Sequence, residues 1–198
     1  MKLVIFDFDY TLARTAEKVK LWTPRGSEEQ DDRRFNFLSP KEYNSLELND
    51  DEFLDDQSFS EFVAVNCDKA TKIESTFMFF ENFLSDTNAR VAILSSRPQV
   101  AQSTVLQFMK ENVKNKNVNK VKNVQFKGCD SSQSKDKYNF IYQTVKKNPV
   151  SELLYFDDSV NAINYVGNNF TNDFSDVKLT TCLVNSTDKL QSLHFEKF

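Results

Sequence analysis

The sequence predicts an α/β protein in which helices cover both faces of a central, mostly parallel β-sheet. Residues 3–6 form a continuous apolar run of strand length, as expected for a strand that is buried on both faces. Two further strand candidates, 90–95 and 152–158, each follow a segment with helical spacing. Strands that alternate with helices in this way form right-handed crossovers and a three-layered domain.

The composition limits the size and the class of the protein. The 198 residues fit a single domain, 1–198, that carries a modest insertion. Phenylalanine occurs 19 times and glycine 3 times, so phenylalanine must dominate the core. A net charge of −4 argues against a generally basic nucleic-acid-binding protein, although it leaves room for a local basic patch.

Cysteine and histidine usage argues against two kinds of site. The three cysteines have no paired spacing and His194 is the single histidine, so zinc is not expected. His194 lies near the end of the sequence, a poor position for the base of a Ser-His-Asp hydrolase. No signal peptide, disulfide framework or apolar run of membrane length is evident, and we therefore expect a cytoplasmic protein that does not enter a membrane.

A polar stretch follows the first strand and interrupts the alternation of strands and helices. It covers about 13–70, and we predict that it is an insertion into the domain. The segment 72–85 then places Ile73, Phe77 and Phe80 at helical spacing and predicts an amphipathic helix.

The remaining elements continue the alternation. Val105 and Phe108 keep the helical period of the segment that follows the strand at 90–95. The sequence predicts helices at 99–113, 136–145 and 160–166, and strands at 123–128, 152–158 and 178–184. Five lysines occupy 110–123, which we interpret as a solvated helix end and loop; contact with a phosphate backbone is the alternative.

Three of the predicted buried strands end in polar side chains. These are Asp7 and Asp9, then Ser95, then Asp157 and Asp158. The carboxyl ends of parallel strands meet at one edge of a sheet, so we expect these side chains to lie together. Carboxylates that are this close repel each other unless a cation separates them. Mg²⁺ suits carboxylate oxygens, and the pattern therefore indicates a metal site.

A basic side chain completes the set. Lys135 and Lys137 stand at the start of the helix predicted at 136–145, between the second and third of these strand ends. Carboxylates, a hydroxyl and an ammonium at one sheet edge are the groups that phosphoryl transfer requires.

This set, in this order, resembles the motifs of the haloacid dehalogenase superfamily, most of whose members are magnesium-dependent phosphatases. The first motif, Asp-x-Asp-x-Thr after an apolar strand, matches Asp7, Asp9 and Thr11. The second, a serine or threonine that ends a strand, matches Ser95. The resemblance implies a Rossmann-like fold with a small cap or flap inserted after the first strand.

The later positions extend the resemblance. In SSRP, Ser96 stands in the place of the usual glycine, and Arg97 follows it as in the family's hydroxyl-Gly-Arg sequence. The third motif, a lysine that opens a helix, matches Lys137, with Lys135 as the competing position. The fourth, an acidic pair after an apolar strand, matches Asp157 and its neighbour Asp158.

The resemblance also implies a role for each residue. Asp7 is the expected nucleophile, which forms an aspartyl phosphate, and Asp9 is the expected general acid and base. Ser95 and Lys137 are expected to hold the phosphoryl oxygens. The residues expected to contact the substrate are Thr11, Ser96 and Arg97. The expected Mg²⁺ ligands are Asp7, the main-chain carbonyl of Asp9, and Asp157, with Asp158 assisting directly or through a further contact.

The insertion suggests a substrate class. Its sequence resembles a segment of haloacid dehalogenase-like proteins encoded by tailed bacteriophages, and the wider layout resembles the 3′-phosphatase domain of phage polynucleotide kinase. A nucleotide or a nucleic-acid 3′-phosphate end is therefore the expected substrate, in the host cytoplasm if the protein is phage-encoded. Trp22, Phe35 and Tyr43 either stack on a base or belong to the Phe-rich core. Tyr10 stands where many members have a small residue, and it would shape the entrance.

Three alternatives stay open at this stage. The motifs do not distinguish a nucleotide from a sugar or another small metabolite as the leaving group. A phosphotransferase or mutase shares the covalent half-reaction, and a non-catalytic binding module would retain the fold without turnover. No obligate protein partner is evident from the sequence.

Overall fold

The computed structural model describes residues 1–23, 34–44, 54–55, 57–186 and 191–198. Six strands of the described chain form a central sheet. In chain order these strands are β1 (Lys2–Phe6), β6 (Ala89–Ser95), β7 (Gln125–Gly128), β8 (Glu152–Asp157), β9 (Lys178–Ser186) and β10 (Gln191–Lys197). Their spatial order is β10-β9-β8-β1-β6-β7, with β1 paired in parallel with both β8 and β6. β7 and β9 are also parallel to their inner neighbours, whereas β10 runs antiparallel to β9.

Four long helices cover the two faces of this sheet. They are α2 (Glu74–Ser85), α3 (Gln102–Asn112), α4 (Ser134–Lys147) and α5 (Val160–Asp173). One apolar cluster joins α2 and α3 to one face, and a second joins α4 and α5 to the other. The predicted three-layered α/β architecture with a mostly parallel sheet is therefore confirmed. None of the helices in the described ranges is long and apolar enough to cross a bilayer.

The side chains of β1 alternate between the two apolar layers. Leu3 and Ile5 belong to the cluster beneath α4 and α5, whereas Val4 and Phe6 belong to the cluster beneath α2 and α3. All four side chains are fully buried, as the continuous apolar run predicted. Phe6 stacks on Phe156 of the neighbouring β8, with 4.5 Å between ring centroids. The buried apolar run ends at Phe6, and the polar residue Asp7 follows directly.

Most predicted elements are present with shifted ends. The helix predicted at 99–113 is divided into a 3-10 turn, Gln99–Ala101, and α3. The helix predicted at 160–166 continues to Asp173, because Phe170 supplies a further buried turn. The lysine-rich stretch 110–123 begins as the predicted helix end, since α3 continues to Asn112. Its remainder is a 3-10 helical run, Asn115–Asn123, rather than a loop, and Val121 of this run is buried in the core.

The strand β10 was not predicted from the sequence. Its residues, QSLHFEK, lack a continuous apolar run, because β10 lies at an edge of the sheet and is largely exposed. Phe195 of β10 still contacts Phe156, at 6.0 Å between ring centroids. His194 lies on this edge strand, where it pairs with Leu183.

The segment between β1 and α2 contributes short elements outside the central sheet. These are β2 (Ala13–Arg14), β3 (Val19–Thr23), β4 (Arg34–Leu38), α1 (Pro40–Asn44), a 3-10 turn (Ser60–Val63) and β5 (Thr71–Lys72). β2 pairs with β5 and β3 pairs with β4, each in an antiparallel two-stranded sheet. The role of 13–70 as a cap stays a prediction.

Candidate active site

The register of the central sheet brings the two acidic strand ends together. Phe6 of β1 lies opposite Phe156 of β8, and the main-chain N–H of Asp7 continues this ladder by donating to the Phe156 carbonyl at 2.8 Å. Asp7 and Asp157 therefore emerge side by side at the carboxyl edge of the sheet. Both carboxylates are buried, Asp157 completely.

Lys137 bridges these two carboxylates. Its Nζ lies 3.0 Å from Oδ1 of Asp7 and 2.8 Å from Oδ2 of Asp157. Burial by itself would lower the pKa of Lys137, but the charges of Asp157 and Asp7 outweigh burial and raise that pKa well above its ordinary value. The first turn of α4 thus delivers a permanent positive charge to the sheet edge. Lys135, the competing position, is exposed to solvent.

Three carboxylates at this edge could hold a metal ion. One oxygen each from Asp7, Asp157 and Asp158 lies within 4.8 Å of the others. Burial is the largest cause that raises the pKa of Asp7 to about 7, and the charges of Asp157 and Asp9 add to it against the pull of Lys137. Burial and the same crowding raise the pKa of Asp158 well above its ordinary value. A hard divalent cation with oxygen ligands, such as Mg²⁺, fits a donor set of this kind.

A tight turn aims Asp9 at the same place. Tyr10 adopts φ of 58°, in the left-handed region that costs a non-glycine residue about 1 kcal/mol or more. Its N–H donates to the Ala13 carbonyl at 2.7 Å, and the Ala13 N–H donates back to the Phe8 carbonyl at 3.0 Å. The Asp9 carboxylate accepts a hydrogen bond of 2.6 Å from the Thr15 hydroxyl. With the turn in this conformation, Asp9 and Asp7 line the same cavity.

Arg97 forms a bidentate salt bridge with the Asp9 carboxylate. Nε and Nη2 each donate to one Asp9 oxygen at 2.8 Å, and Nη2 also donates to Glu17 at 2.9 Å. Nη1 donates to the main-chain carbonyls of Phe62 and Ala64, at 3.3 and 2.8 Å. A guanidinium has five N–H donors, so each one has an acceptor within the protein. Arg97 is predicted to bind substrate, but in this conformation it offers no spare donor.

The two serines of SSRP occupy different environments. Ser95 is fully buried, and its Oγ accepts a 3.1 Å hydrogen bond from the Arg97 main-chain N–H. Ser96 is half-buried and lines the cavity above the carboxylates. Thr11 is also fully buried; its hydroxyl has no hydrogen-bond partner among the described residues, and its carbonyl accepts from the Thr76 hydroxyl. The substrate-binding roles of Thr11 and Ser96 stay predictions.

A cavity of about 670 Å³ opens above these groups and reaches into the insertion. Tyr10, Tyr43 and Phe59 line it on the insertion side, and the loop 130–133 lines it on the other side. Tyr43 and Phe59 form an edge-to-face pair with 5.4 Å between ring centroids. The volume exceeds what one phosphate needs, so the cavity has room for a leaving group.

The other aromatic candidates of the insertion differ from Tyr43. Trp22 is buried, and its indole N–H donates to Asp55 at 2.8 Å, so it belongs to the interior of the insertion. The side chain of Phe35 lies outside the described residues. The acidic run 50–56 also lies outside them, apart from Leu54 and Asp55.

Several residues of the site were missed by sequence reasoning. The hydroxyl of Tyr155 donates to Asp157, and the Ser159 N–H donates to the same carboxylate at 2.8 Å. Tyr155 lies two residues before Asp157 in a strand, so the period of two would have predicted that they share a face. Glu17 and Thr15 stand in a polar stretch without periodicity, where no pattern indicated their contact with the site.

The lysine-rich run lies near the amino ends of the parallel strands, opposite the carboxyl edge that carries Asp7. The main-chain N–H of Lys114 donates to Glu81 at 2.6 Å, and the Ser85 hydroxyl donates to Asn117 at 3.1 Å. Glu81 and Ser85 are near the end of α2, just before β6 begins. A helix that connects two parallel strands carries the chain from the carboxyl ends of the strands back to their amino ends. These lysines are therefore remote from the carboxyl edge where Asp7 emerges.

Comparisons with known proteins give a likeness in fold. No protein-family model and no curated protein matches this chain. Two solved structures from Legionella pneumophila are similar: the effector Ceg4, at 13% identity, and the HAD domain of the effector protein Lem4, at 15% identity. Each alignment covers 90% of this chain and 84% of the other, with a TM-score of 0.44. At this level the likeness carries nothing about activity, which has to be inferred from the residues of this chain.

Proposed function

We propose that this protein is a magnesium-dependent phosphomonoesterase that works through an aspartyl phosphate on Asp7. One observation carries the proposal: Lys137 bridges Asp7 and Asp157 within a buried cluster of carboxylates. Burying these charged groups costs folding stability, which a purely structural role would not require, whereas a phosphoryl-transfer site needs each of these charges.

The Asp7 carboxylate would attack phosphorus, and the P–O bond to the leaving group would break. Asp9 would donate its proton to the departing oxygen, so that the alcohol leaves neutral. In the second step the Asp9 carboxylate would take a proton from water while that water attacks the aspartyl phosphate. The products are inorganic phosphate and a free Asp7 carboxylate.

The residues around Asp7 would stabilise the phosphoryl group during both steps. Lys137 would neutralise charge on its oxygens, since its pKa keeps it protonated. Asp7, Asp157 and Asp158 would hold Mg²⁺, which when bound supplies positive charge that offsets the phosphoryl oxygens. Tyr155 and Ser159 would keep the Asp157 carboxylate oriented.

The substrate class we propose is a nucleotide or a nucleic-acid 3′-phosphate end, and the charges of the cavity favour the shorter members. Among the described residues that line the cavity, six are aspartates and two, Arg97 and Lys137, are basic. Both basic side chains are already paired with carboxylates. Asp55 and Asp130 would repel any additional phosphate on the leaving group. A mononucleotide whose base rests against Tyr43 and Phe59 suits this lining better than a long polyanion.

The test is phosphate release with Mg²⁺ from p-nitrophenyl phosphate, nucleoside 3′- and 5′-monophosphates, oligonucleotides with a 3′- or 5′-phosphate, and sugar phosphates. We expect turnover of the aryl phosphate and of mononucleotides, and slower turnover of oligonucleotides. Asp7→Asn is expected to abolish release from every substrate while Mg²⁺ still stabilises the protein against heat. Release of phosphate by Asp7→Asn at the unmodified rate would reject the nucleophile. No turnover of any substrate would favour a binding module.

Sugar or small-metabolite phosphatase activity is the second candidate. The loop 130–133 presents Asp130, Ser131, Ser132 and Gln133 to the cavity, and polar side chains of this kind can hydrogen-bond to sugar hydroxyls. Faster turnover of sugar phosphates than of mononucleotides in the same screen would select this candidate.

A further inference from the structure

Glu17 lies outside every motif of the sequence and yet is built into the site. It is buried, with 6% of its side chain exposed, although it belongs to the insertion. One carboxylate oxygen accepts from Nη2 of Arg97 at 2.9 Å, and the other accepts from the main-chain N–H of Asn66 at 2.6 Å. Both oxygens are thus used, one toward the core and one toward the returning end of the insertion.

Arg97 joins Glu17 to Asp9. Its Nη2 donates to both carboxylates, at 2.8 Å to Asp9 and 2.9 Å to Glu17, and its side chain is fully buried. The rings of Phe62 and Phe8 pack on the guanidinium, with centroids 5.1 and 5.6 Å from its central carbon. The guanidinium plane is therefore held by contacts on its edges and its faces.

We propose, resting on the proposed function, that Glu17 is a positioning residue that acts through Arg97 to hold the Asp9 carboxylate in the direction required for proton transfer to the leaving oxygen. A carboxylate that accepts two parallel N–H bonds is fixed in orientation as well as in place. Without Glu17, the Nη2 group loses one of its two acceptors, and the tilt of the guanidinium is restrained less tightly. Asp9 follows that tilt, because both of its oxygens are bound to the same guanidinium.

The geometry makes Glu17→Gln a sharp test. Glutamine has the same length, but it has one acceptor oxygen and an NH₂ donor where glutamate has two acceptors. Whichever way the amide points, one N–H, from Arg97 or from Asn66, faces a donor. Glu17→Asp, which keeps the charge but is shorter by one methylene, is expected to recover part of the loss.

The readout is the dependence of rate on the leaving group. p-Nitrophenolate leaves without protonation, whereas an alkoxide, as in a mononucleotide, needs the proton of Asp9. Glu17→Gln is expected to lower kcat/KM for a mononucleotide by at least about tenfold more than for p-nitrophenyl phosphate, because general acid catalysis contributes on the order of a hundredfold. An equal loss on both substrates would show a merely structural role and overturn the proposal, as would no loss on either.

Two controls separate this outcome from other failures. Glu61 also ties the insertion together, because its carboxylate accepts from the Lys18 N–H at 2.9 Å, but it contacts neither Arg97 nor Asp9 among the described residues. Glu61→Gln is expected to leave the ratio between the two substrates unchanged, and a matching change in that ratio would count against Glu17. In an Arg97→Lys background, Glu17→Gln is expected to change the ratio no further. Additive losses would show that Glu17 does not act through Arg97.

These outcomes are distinguishable from failure of the proposed function. If the unmodified protein turns over neither substrate, the phosphatase assignment itself fails. If it turns over both, the comparison between substrates tests Glu17 alone. Thermal denaturation of each variant checks that the fold is retained.

Discussion

The ammonium of Lys137 lies 3.0 Å from the carboxylate of Asp7, and both side chains are buried. A cation at this distance does more than offset the negative charge of Asp7. It stands where the oxygens of a phosphoryl group on Asp7 would need a positive partner. The proposed phosphoryl transfer would therefore take place at this buried ion pair.

Replacing Lys137 by alanine is expected to lower kcat by at least about a hundredfold, since removing one preorganised charge partner costs on the order of 3 kcal/mol. Lys135→Ala is the matched control, because Lys135 lies on the same helical turn but is exposed. It is expected to retain nearly full activity. Steady-state kinetics with p-nitrophenyl phosphate measures both. A large loss in Lys135→Ala with little loss in Lys137→Ala would move the third motif two residues upstream.

Asp158→Asn is expected to weaken Mg²⁺ binding by at least about tenfold, because it removes one of the clustered negative charges. This variant leaves the contacts of Lys137 with Asp7 and Asp157 in place. The Mg²⁺-dependent rise of the melting temperature measures the affinity. Asp130→Asn serves as the control, because Asp130 lines the same cavity but is not part of the carboxylate cluster. Equal Mg²⁺ responses of the two variants would contradict the metal assignment.

The stability of the metal-free protein is expected to fall between about pH 4 and pH 7. Burial raises the pKa of Asp7 from its ordinary 3.8 to about 7, so the folded state holds a proton that the unfolded state has released. The stabilisation is complete below the unfolded pKa and is lost as the pH rises through the folded pKa. Melting curves in EDTA should show this slope, and Asp7→Asn, which does not titrate, should show a shallower one. Identical slopes would refute the assignment of the effect to Asp7.

Gly128→Ala is expected to destabilise the protein by about 1–3 kcal/mol, the usual cost of forcing extra atoms into a packed site. A Cβ on Gly128 would lie 2.6 Å from main-chain atoms of Arg97, Pro98 and Gln99, none of which is the end of a flexible side chain. We also expect kcat to fall, because the displaced segment carries Arg97. Chemical denaturation and kinetics measure the two effects.

Gly167→Ala provides the comparison. There the Cβ would meet only the ring of Phe198, at 2.9 Å, among its three nearest contacts, and that ring belongs to the terminal side chain. The Phe198 ring can move aside, and alanine favours the helix by up to about 1 kcal/mol. This variant is expected to keep its activity and lose less stability than Gly128→Ala. A larger loss in Gly167→Ala would contradict the steric account.

The sequence by itself determined the layers of the fold and the carboxyl edge of the sheet. A strand buried on both faces must be apolar throughout, and Leu3 to Phe6 show this without any knowledge of their neighbours. The polar residues that follow such strands must emerge at one edge, which indicated Asp7, Asp157 and Ser95 as neighbours. The edge strand β10 escaped prediction for the same reason, because an exposed strand needs no apolar pattern.

Only the tertiary structure decided what Arg97 and Glu17 touch. Arg97 lies 88 residues from Asp9 and 80 from Glu17 along the chain, and no periodicity links positions in a loop, a turn and an insertion. Their contact depends on how the segment between β1 and α2 packs against Arg97. The choice of Lys137 over Lys135 for contact with Asp7 has a similar basis. The two positions lie about 200° apart around α4, and the side of α4 that packs on the sheet turns Lys137 inward and leaves Lys135 in solvent. The local sequence pattern indicates which residues are buried. The polar contacts of Arg97, Glu17 and Lys137 form only when segments that are distant in the chain come together.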